Sequence, residues 1–591
     1  KVLVNELRMT GVKKSKEESY SIGGSINFAD LMTISGDYNH KESGFHKLQQ
    51  RLGTGNSDDT YNTKIKLHPN IILPVRWGIK TPVTLKYTNS IQTPKYYPGS
   101  DILTKNQSNI EDIQRRNEKI SLSTSFSKSV RSPNWLMKRT IDNISLSYSA
   151  IMNNSSDSQI QEKTIEDYQI SGSYTYNWGK ENYFNPFKFT KDWLILGNIL
   201  SQSRYYYTPD KFSSRIQFSE SDKRTIQRAS DAVTKTYNFN MLREFKLNHK
   251  FTKTLSSNYT WQSNSNLDLD RFKDDKWKII KDMDPGREES MTQKFTNTYK
   301  PDFLKWLNPN ITFNPTYNWK LNIIDEIQTA DVESKAIFKT QLGLSIQDFI
   351  ELIYTPENKG KSSRGRGRSR SSSSSNKNDK KINIQNPLAR FILGKIHSLS
   401  SKIRKISPKY TYEIFHAYDN IRADLSPSYL YRLGLQKSPL AGPGELNAPS
   451  LINSSIVPSE EHKYKTDIST ETTVNIIQSV STSLKFKYAN SLSKSSIAST
   501  TEHTSFSYYP LGNRGDEGFP IANWSINWSK IEKWWILDKL FKSVSLSHGF
   551  NGEQSMSYNN SILQNEDYST SYSPIIGINS ITKGRTPITL T

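Results

Sequence analysis

The chain of 591 residues contains no cysteine, which excludes disulfide frameworks, thiolate metal sites and cysteine nucleophiles. No stretch approaches the ~18–20 consecutive apolar residues that a membrane-spanning helix requires; the best run, WLILGNIL (193–200), is too short. Catalytic signatures are missing as well. The nine histidines are scattered with no HExxH and no pair at ligand spacing, and no GxSxG elbow, Walker loop or GxGxxG precedes a helix. RLGTG (51–55) reads as a turn rather than a phosphate cradle. A non-enzymatic binding or conduit protein without a cofactor follows as the expectation. An initiator Met and a signal peptide are also lacking. KVLVNELRM (1–9) reads like the middle of a chain, so the sequence is expected to be a piece of a longer protein.

Acidic residues are in the minority, 57 against 79 Lys and Arg, for a net charge of +22. KGKSSRGRGRSRSSSSSNKNDKK (359–381), with five Lys, four Arg and one Asp, supplies +8 of that, leaving +14 spread along the rest. Nucleic-acid binding would concentrate charge on one folded patch. Even spreading points to a broad solvated surface or the wall of a polar channel. Low apolar content, Ser and Gly throughout and high charge make residues 356–382 an expected disordered loop.

What the sequence has in abundance is period-two alternation. Tyr20, Ile22, Gly24, Ile26 and Phe28 share one face, and after a turn at Ala29–Asp30 the pattern resumes with Met32, Ile34, Gly36 and Tyr38. YQISGSYTYNW (168–178) places Tyr168, Ile170, Gly172, Tyr174, Tyr176 and Trp178 on one side. Phe245, Leu247, His249 and Phe251 alternate with Lys246, Asn248 and Lys250. Val480, Leu484, Phe486 and Tyr488 alternate with Lys485 and Lys487. Similar runs recur along the chain, for roughly 20–24 strands and almost no amphipathic helix.

The apolar face is rich in Tyr, Phe and Trp, and the opposite face is Ser, Thr, Asn and Lys. A soluble sandwich or solenoid would pack that apolar face on a second layer. A membrane barrel would turn it to lipid and keep Lys246, Lys250, Lys485 and Lys487 on the watery lumenal side, since Lys at a lipid-facing midplane costs ~2–4 kcal/mol. Three clusters mix Lys with aromatic and aliphatic residues: FNPFKFTKDWL (184–194), PDFLKWLNP (301–309) and SKIEKWWILDKLFKS (529–543). They suit a membrane–water interface, with Trp193, Trp306, Trp534 and Trp535 as anchors, or short helices capping a sheet edge. NLDLDRFKDD (266–275) offers Asp268, Asp270, Asp274 and Asp275 as a weak calcium candidate, without the Gly and terminal Glu of an EF-hand loop.

Several phrases also resemble a known family. VNELRMTGV (4–12), INFADLMTISGDY (26–38), GFHKLQQRLG (44–53) and LPVRWGIKTPVTLKYTNSIQTPKYYP (73–98) are similar to the SprA/Sov proteins. These are giant outer-membrane proteins of the type 9 secretion system in Bacteroidota, linked to gliding motility. TYNFNMLREFKLNHKFTKTLS (236–256), FLKWLNPNITFNPTYNW (303–319), PIANWSINWSKIEKWWILDKLFKSVSLSHGF (520–550) and YSPIIGI (572–578) continue the resemblance in family order. The region from about 355 to 462 departs from it. The resemblance implies an all-β fold: a portion of a very large antiparallel transmembrane β-barrel with long loops and short interfacial helical segments, incomplete without upstream strands. It implies a bacterial outer-membrane translocon for folded cargo carrying a C-terminal signal domain. Implied partners are a PorV-type barrel, a periplasmic plug protein and membrane lipid, with no nucleic acid and no small-molecule substrate. A porin or nutrient-receptor barrel, and a nucleic-acid-binding β protein using residues 359–381, stand as alternatives.

Overall fold

The computed structural model describes residues 16–590 except 48–49, 51–52, 105–109, 180–181, 190–202, 231, 274, 277, 302–305, 325–326, 355–386, 440–458, 478, 497–498 and 508–521. The basic stretch 359–381 and Trp193 therefore lie outside the described residues.

The chain is all-β. In order, its strands are β1 (Ser19–Phe28), β2 (Met32–Lys41), β3 (Asn56–Leu67), β4 (Ile79–Lys80), β5 (Val83–Pro94), β6 (Arg115–Lys128), β7 (Ile144–Ser156) and β8 (Ile160–Asn177). There follow β9 (Tyr183–Phe184), β10 (Tyr205–Tyr206), β11 (Lys211–Gln227), β12 (Val233–Lys250), β13 (Leu255–Asn266), β14 (Arg287–Tyr299), β15 (Asn310–Ile324), β16 (Ile327–Gln341) and β17 (Lys409–Arg422). The last are β18 (Ser459–Ile477), β19 (Val480–Ser495), β20 (Thr501–Ser507), β21 (Asn523–Trp528), β22 (Phe541–Asn559), β23 (Ile562–Tyr572), β24 (Gly577–Thr582) and β25 (Pro587–Leu590). Among the described residues 23 strands belong to one sheet, and β9 and β10 form a separate ribbon.

Among the described residues seven α-helices interrupt them: α1 (Trp135–Arg139), α2 (Asp270–Lys273), α3 (Lys278–Lys281), α4 (Ile346–Ile353), α5 (Pro387–Ser400), α6 (Tyr429–Arg432) and α7 (Leu537–Leu540). No described helix is long and apolar enough to cross a membrane. The helix α5 departs from the expectation of almost no amphipathic helix. Phe391, Ile392, Ile396 and Leu399 recur at helical spacing just beyond the Ser/Lys-rich run, which masked the signal.

Two compact units account for the chain: residues 1–177, 211–246 and 261–291, and residues 178–210, 247–260 and 292–591. In the first unit β1, β2, β3, β5, β6, β7, β8 and β11 form an unbroken antiparallel ladder. Connections alternate between its two ends. At one end lie the β3–β5 and β6–β7 connections, joined by the Ser129 amide donating to the Gly78 carbonyl at 2.7 Å. Gly78 sits at φ 61°, where a side chain would collide with Val130. In the second unit β15, β16, β17, β18 and β19 form a like ladder, continued through β20, β21 and β22 to β23, β24 and β25.

Many ladders run longer than alternation predicted. Tyr87 closes the alternating run of β5, yet pairing continues from Asn89 opposite Glu118 to Gln92 opposite Arg115. Polar residues fall on both faces there, with Ile91 the one apolar member of the β5 stretch, so the periodic signal fades while the hydrogen bonds do not.

Candidate functional site

The site is a surface, and the register of the first unit defines it. Reading across the ladder, one face carries Ile26, Ile34, Ile65, Leu85, Leu122, Ala150 and Tyr168, each directly opposite the next. Neighbouring rows on that face hold Ile22, Tyr38, Tyr61, Ile120, Met152 and, farther along, Leu146, Tyr148, Ile170, Ile216 and Phe218. Within water this face would be covered; here Ile22 is 66% exposed, Leu146 50% and Ile170 54%. A contiguous bare apolar surface across eight strands far exceeds what a soluble monomer shows.

The apolar band has a sharp edge. One pair beyond Tyr38–Tyr61 comes His40 opposite Asp59, and two residues beyond Ile120 comes Glu118; Met152 faces Glu166 and Tyr168 faces Glu220. Aromatic rings line that edge. Tyr38 stacks on Tyr61 at 4.6 Å and meets Tyr20 edge-on at 5.9 Å. The Tyr38 hydroxyl donates to Asp59 at 2.6 Å, and His40 Nδ1 lies 2.7 Å from the same carboxylate. An apolar ring body with a polar tip is the arrangement of an interfacial belt.

The other face is largely polar: Ser25, Ser35, Lys64, Lys86, Ser121, Ile151 and Asp167 follow one another across the ladder, with Ile151 the one apolar member of that row. Its side chains satisfy one another. Ser145 meets Ser173 and Ser147 meets Ser171, both at 2.7 Å, while Thr88 donates to Asn62 at 3.0 Å and Ser221 to Asp167 at 2.6 Å.

The second unit repeats the division. Lys335 and Glu413 pair at 2.6 Å, Lys463 and Glu461 at 2.8 Å, and Lys465 and Asp467 at 3.2 Å, all on the face that register shares with Lys485 and Lys487. Lys485 lies 3.9 Å from Glu471 and Lys487 3.6 Å from Glu553. The opposite face bears Phe338, Tyr412, Ile414, Tyr464, Ile468, Phe486 and Tyr488. Lys246 is 2.5 Å from Glu244 and exposed, and Lys250 is exposed.

Part of the apolar face is covered by the chain itself. Tyr431 of α6 is fully buried, its hydroxyl donating to the carbonyls of Val332 and His416 at 3.2 and 3.1 Å. Ser334 donates to the Tyr431 carbonyl, and Tyr317 is buried edge-on to the Tyr431 ring at 6.2 Å. The His416 and His462 rings meet beneath this cover with Nδ1 atoms 3.0 Å apart. Sequence alternation gave no sign of the cover, because Tyr431 belongs to a four-residue helix without periodicity.

The expected anchors divide. Trp534 and Trp535 are 57% and 82% exposed, with Trp534 edge-on to Trp528 at 5.5 Å. Trp306 is half-buried and edge-on to Phe349 of α4 at 5.0 Å. The first unit shows a like group that the sequence did not single out. Ile72, Val75, Trp135 and Leu136 are 80%, 91%, 67% and 54% exposed in the β3–β5 and β6–β7 connections, beside Arg76, Lys138 and Arg139. An internal pair stiffens the second of these. Lys128 Nζ lies 2.5 Å from Asp142, which also accepts from the Ser132 amide at 2.5 Å and the Ser132 hydroxyl at 2.8 Å. Burial works against ionising Asp142, but the bonds from Lys128 and Ser132 outweigh it and hold its pKa below 3.8.

Among the described residues no three potential ligands gather at one point. Asp275 lies 3.6 Å from Lys281, the Asp268 amide donates to Asn266 at 2.7 Å, Asp270 opens α2, and Asp274 lies outside the described residues.

No protein-family model matches the chain, and no curated protein does. Among solved structures, the siderophore receptor PirA from Pseudomonas aeruginosa aligns with 91% of this chain and 76% of its own at 8% identity and a TM-score of 0.29. At that score the likeness carries no argument.

Proposed function

We propose that the chain is part of the wall of a very large outer-membrane β-barrel that conducts folded proteins, the translocon of a type 9 secretion system. The observation that carries the membrane reading is the exposed apolar face set back to back with a polar, self-paired face through eight registered strands. From Ile144 to Met152 the band on β7 climbs about 20 Å at a tilt of ~40°, against the ~25 Å apolar belt of membrane barrels. The polar face then lines the lumen, where dispersed Ser, Asn and paired Lys and Glu give passing cargo few sticky contacts. The secretion reading rests on the SprA/Sov-like phrases, as do the PorV-type, plug and signal-bearing cargo partners and a role in gliding.

Among the described residues β1 pairs with β2 alone. In a bilayer its other edge needs a further strand, because unpaired backbone cannot face lipid. Residues 1–591 expressed without additional sequence are therefore expected not to form a stable, heat-modifiable barrel, and a clean single-channel conductance from them would count against this. The decisive experiment deletes the gene. Loss of folded-protein secretion with normal nutrient uptake supports the translocon; normal secretion with lost uptake refutes it in favour of a porin or receptor barrel.

A further inference from the structure

We propose that a slot beneath α3 holds a segment of one acyl chain of a membrane phospholipid whose headgroup carries both a phosphate and an amine. The inference rests on reading the apolar face as lipid-facing.

The segment around α2 and α3 does not hang free of the sheet. Phe272 and Ile279 are buried against Phe239 and Met241 of β12, together with Leu267. Just beside this dry cluster the packing is incomplete. A cavity of about 180 Å³ remains, floored by Ile170, Phe218 and Phe239 and roofed by Ile279 and Ile280. Its size is that of the ~150 Å³ apolar cavities that stay dry and take up a hydrocarbon. Two of its floor residues, Ile170 and Phe218, are opposed members of the bare apolar band. Ile280 at the rim is 58% exposed, so the space can be reached from outside. What surrounds that face in a bilayer is acyl chain.

The position along the strands sets the rest of the ligand. One pair beyond Ile170–Phe218, on the same face, comes Tyr168–Glu220, where the band gives way to charge. Glu220 lies 2.6 Å from Lys276 and accepts from the Tyr237 hydroxyl at 3.0 Å. The Lys276 ammonium also stands over the Phe239 ring at 5.4 Å. Lys276 and Glu220 are half and one-quarter exposed, a neutral pair at the mouth with one cation and one carboxylate to offer. A zwitterionic phospholipid meets both, its phosphate on Lys276 and its amine on Glu220. A multi-chain lipid with two phosphates and no amine fits neither a single-chain slot nor a carboxylate at its rim.

The test uses the full-length protein in nanodiscs containing a phosphatidylethanolamine with a photoactivatable diazirine in its acyl chain, with crosslinks mapped by peptide mass spectrometry. Labelling at Phe218, Ile279 and Ile280 is expected to exceed that at Leu146, which meets only bulk lipid, by about tenfold. The rim variant Ile280→Trp, chosen because its exposed position tolerates size, is expected to bring slot labelling down to the Leu146 level while Leu146 itself stays constant. Equal labelling at slot and band, or displacement by lipid A more effectively than by unlabelled phosphatidylethanolamine, overturns the slot. Failure to label Leu146 or any other band position overturns the lipid-facing reading itself.

Discussion

Placing an arginine on β7 separates a lipid-facing wall from a sheet covered by protein or water. Five alternating positions on this strand, Ile144, Leu146, Tyr148, Ala150 and Met152, face the apolar side, and Tyr148 is the middle one, lying opposite Thr124 and Ile170. Ser147 and Ser149 point the other way, Ser147 within 2.7 Å of Ser171. If the apolar side meets lipid, Tyr148→Arg puts a cation near the midplane at a cost of ~2–4 kcal/mol, a shift of roughly 30- to several-hundred-fold in the folding equilibrium. Met152→Arg lies at the charged edge opposite Glu166 and should cost only ~0–1 kcal/mol. Ser149→Arg, on the wet side, should cost no more than ~0.5 kcal/mol. Denaturant unfolding of the full-length protein in lipid vesicles reads these values. Residues 1–591 are free of cysteine, so single Cys variants at positions 144 to 153 add an independent readout once any thiol elsewhere in the full-length protein has been replaced. A membrane-impermeant maleimide should then label odd positions and spare even ones. Equal costs for Tyr148→Arg and Ser149→Arg, or a Cys at 148 labelled as fast as one at 149, would refute the reasoning.

Other consequences follow from particular contacts. Asp142→Ala leaves the part-buried Lys128 without its partner and should destabilise the β6–β7 connection by ~1–3 kcal/mol, read as hydrogen exchange at the Ser132 and Leu136 amides; Lys128→Met with Asp142→Ala should recover part of the loss. Because the folded pKa of Asp142 lies below 3.8, its contribution is complete above that pH and is lost as pH falls through the folded value, so protection of these amides should collapse only in strong acid. Tyr431→Phe removes the hydroxyl bonds to Val332 and His416 and should cost ~1–3 kcal/mol, whereas Gly434→Ala forces a side chain at φ 68° into Ala336 and should open residues 423–439 to limited proteolysis more severely. Filter binding should detect no tight association with nucleic acid at physiological salt; steeply salt-dependent binding lost on deleting 359–381 would revive that reading.

The fold was legible wherever one strand face was apolar and the other polar. Tyr20 to Tyr38, Tyr168 to Tyr176 and Val480 to Tyr488 all lie in strands with the expected sidedness, because a half-exposed strand cannot avoid writing its period into the chain. Strand ends were not legible, since stretches such as Asn89 to Gln92 carry polar residues on both sides and only Ile91 to mark a face. Parity in the sequence also separates Lys246, Lys250, Lys485 and Lys487 from the apolar positions that alternate with them. The cover provided by Tyr431 and the slot at Ile279 could not be read from it, because both depend on short segments from between strands folding back onto a face far away in sequence. Asp142 was equally silent: its importance comes from Lys128, fourteen residues earlier and across a turn.

If the apolar face of the first unit meets lipid, as proposed, its unequal rims bear on how it would ride in membranes of different thickness. At one rim Glu118, Glu166 and Glu220 follow directly on the apolar rows, so sinking the sheet further would drag carboxylates into hydrocarbon. At the opposite rim the exposed Ile72, Val75, Trp135 and Leu136 stand beside Arg76, Lys138 and Arg139, a composition at ease in either headgroups or acyl chains. On that reading the wall would be moored along one leaflet and buoyant along the other. A thicker or thinner bilayer would be taken up at the buoyant rim, at a fraction of a kcal/mol per Å, while the charged waterline kept its depth.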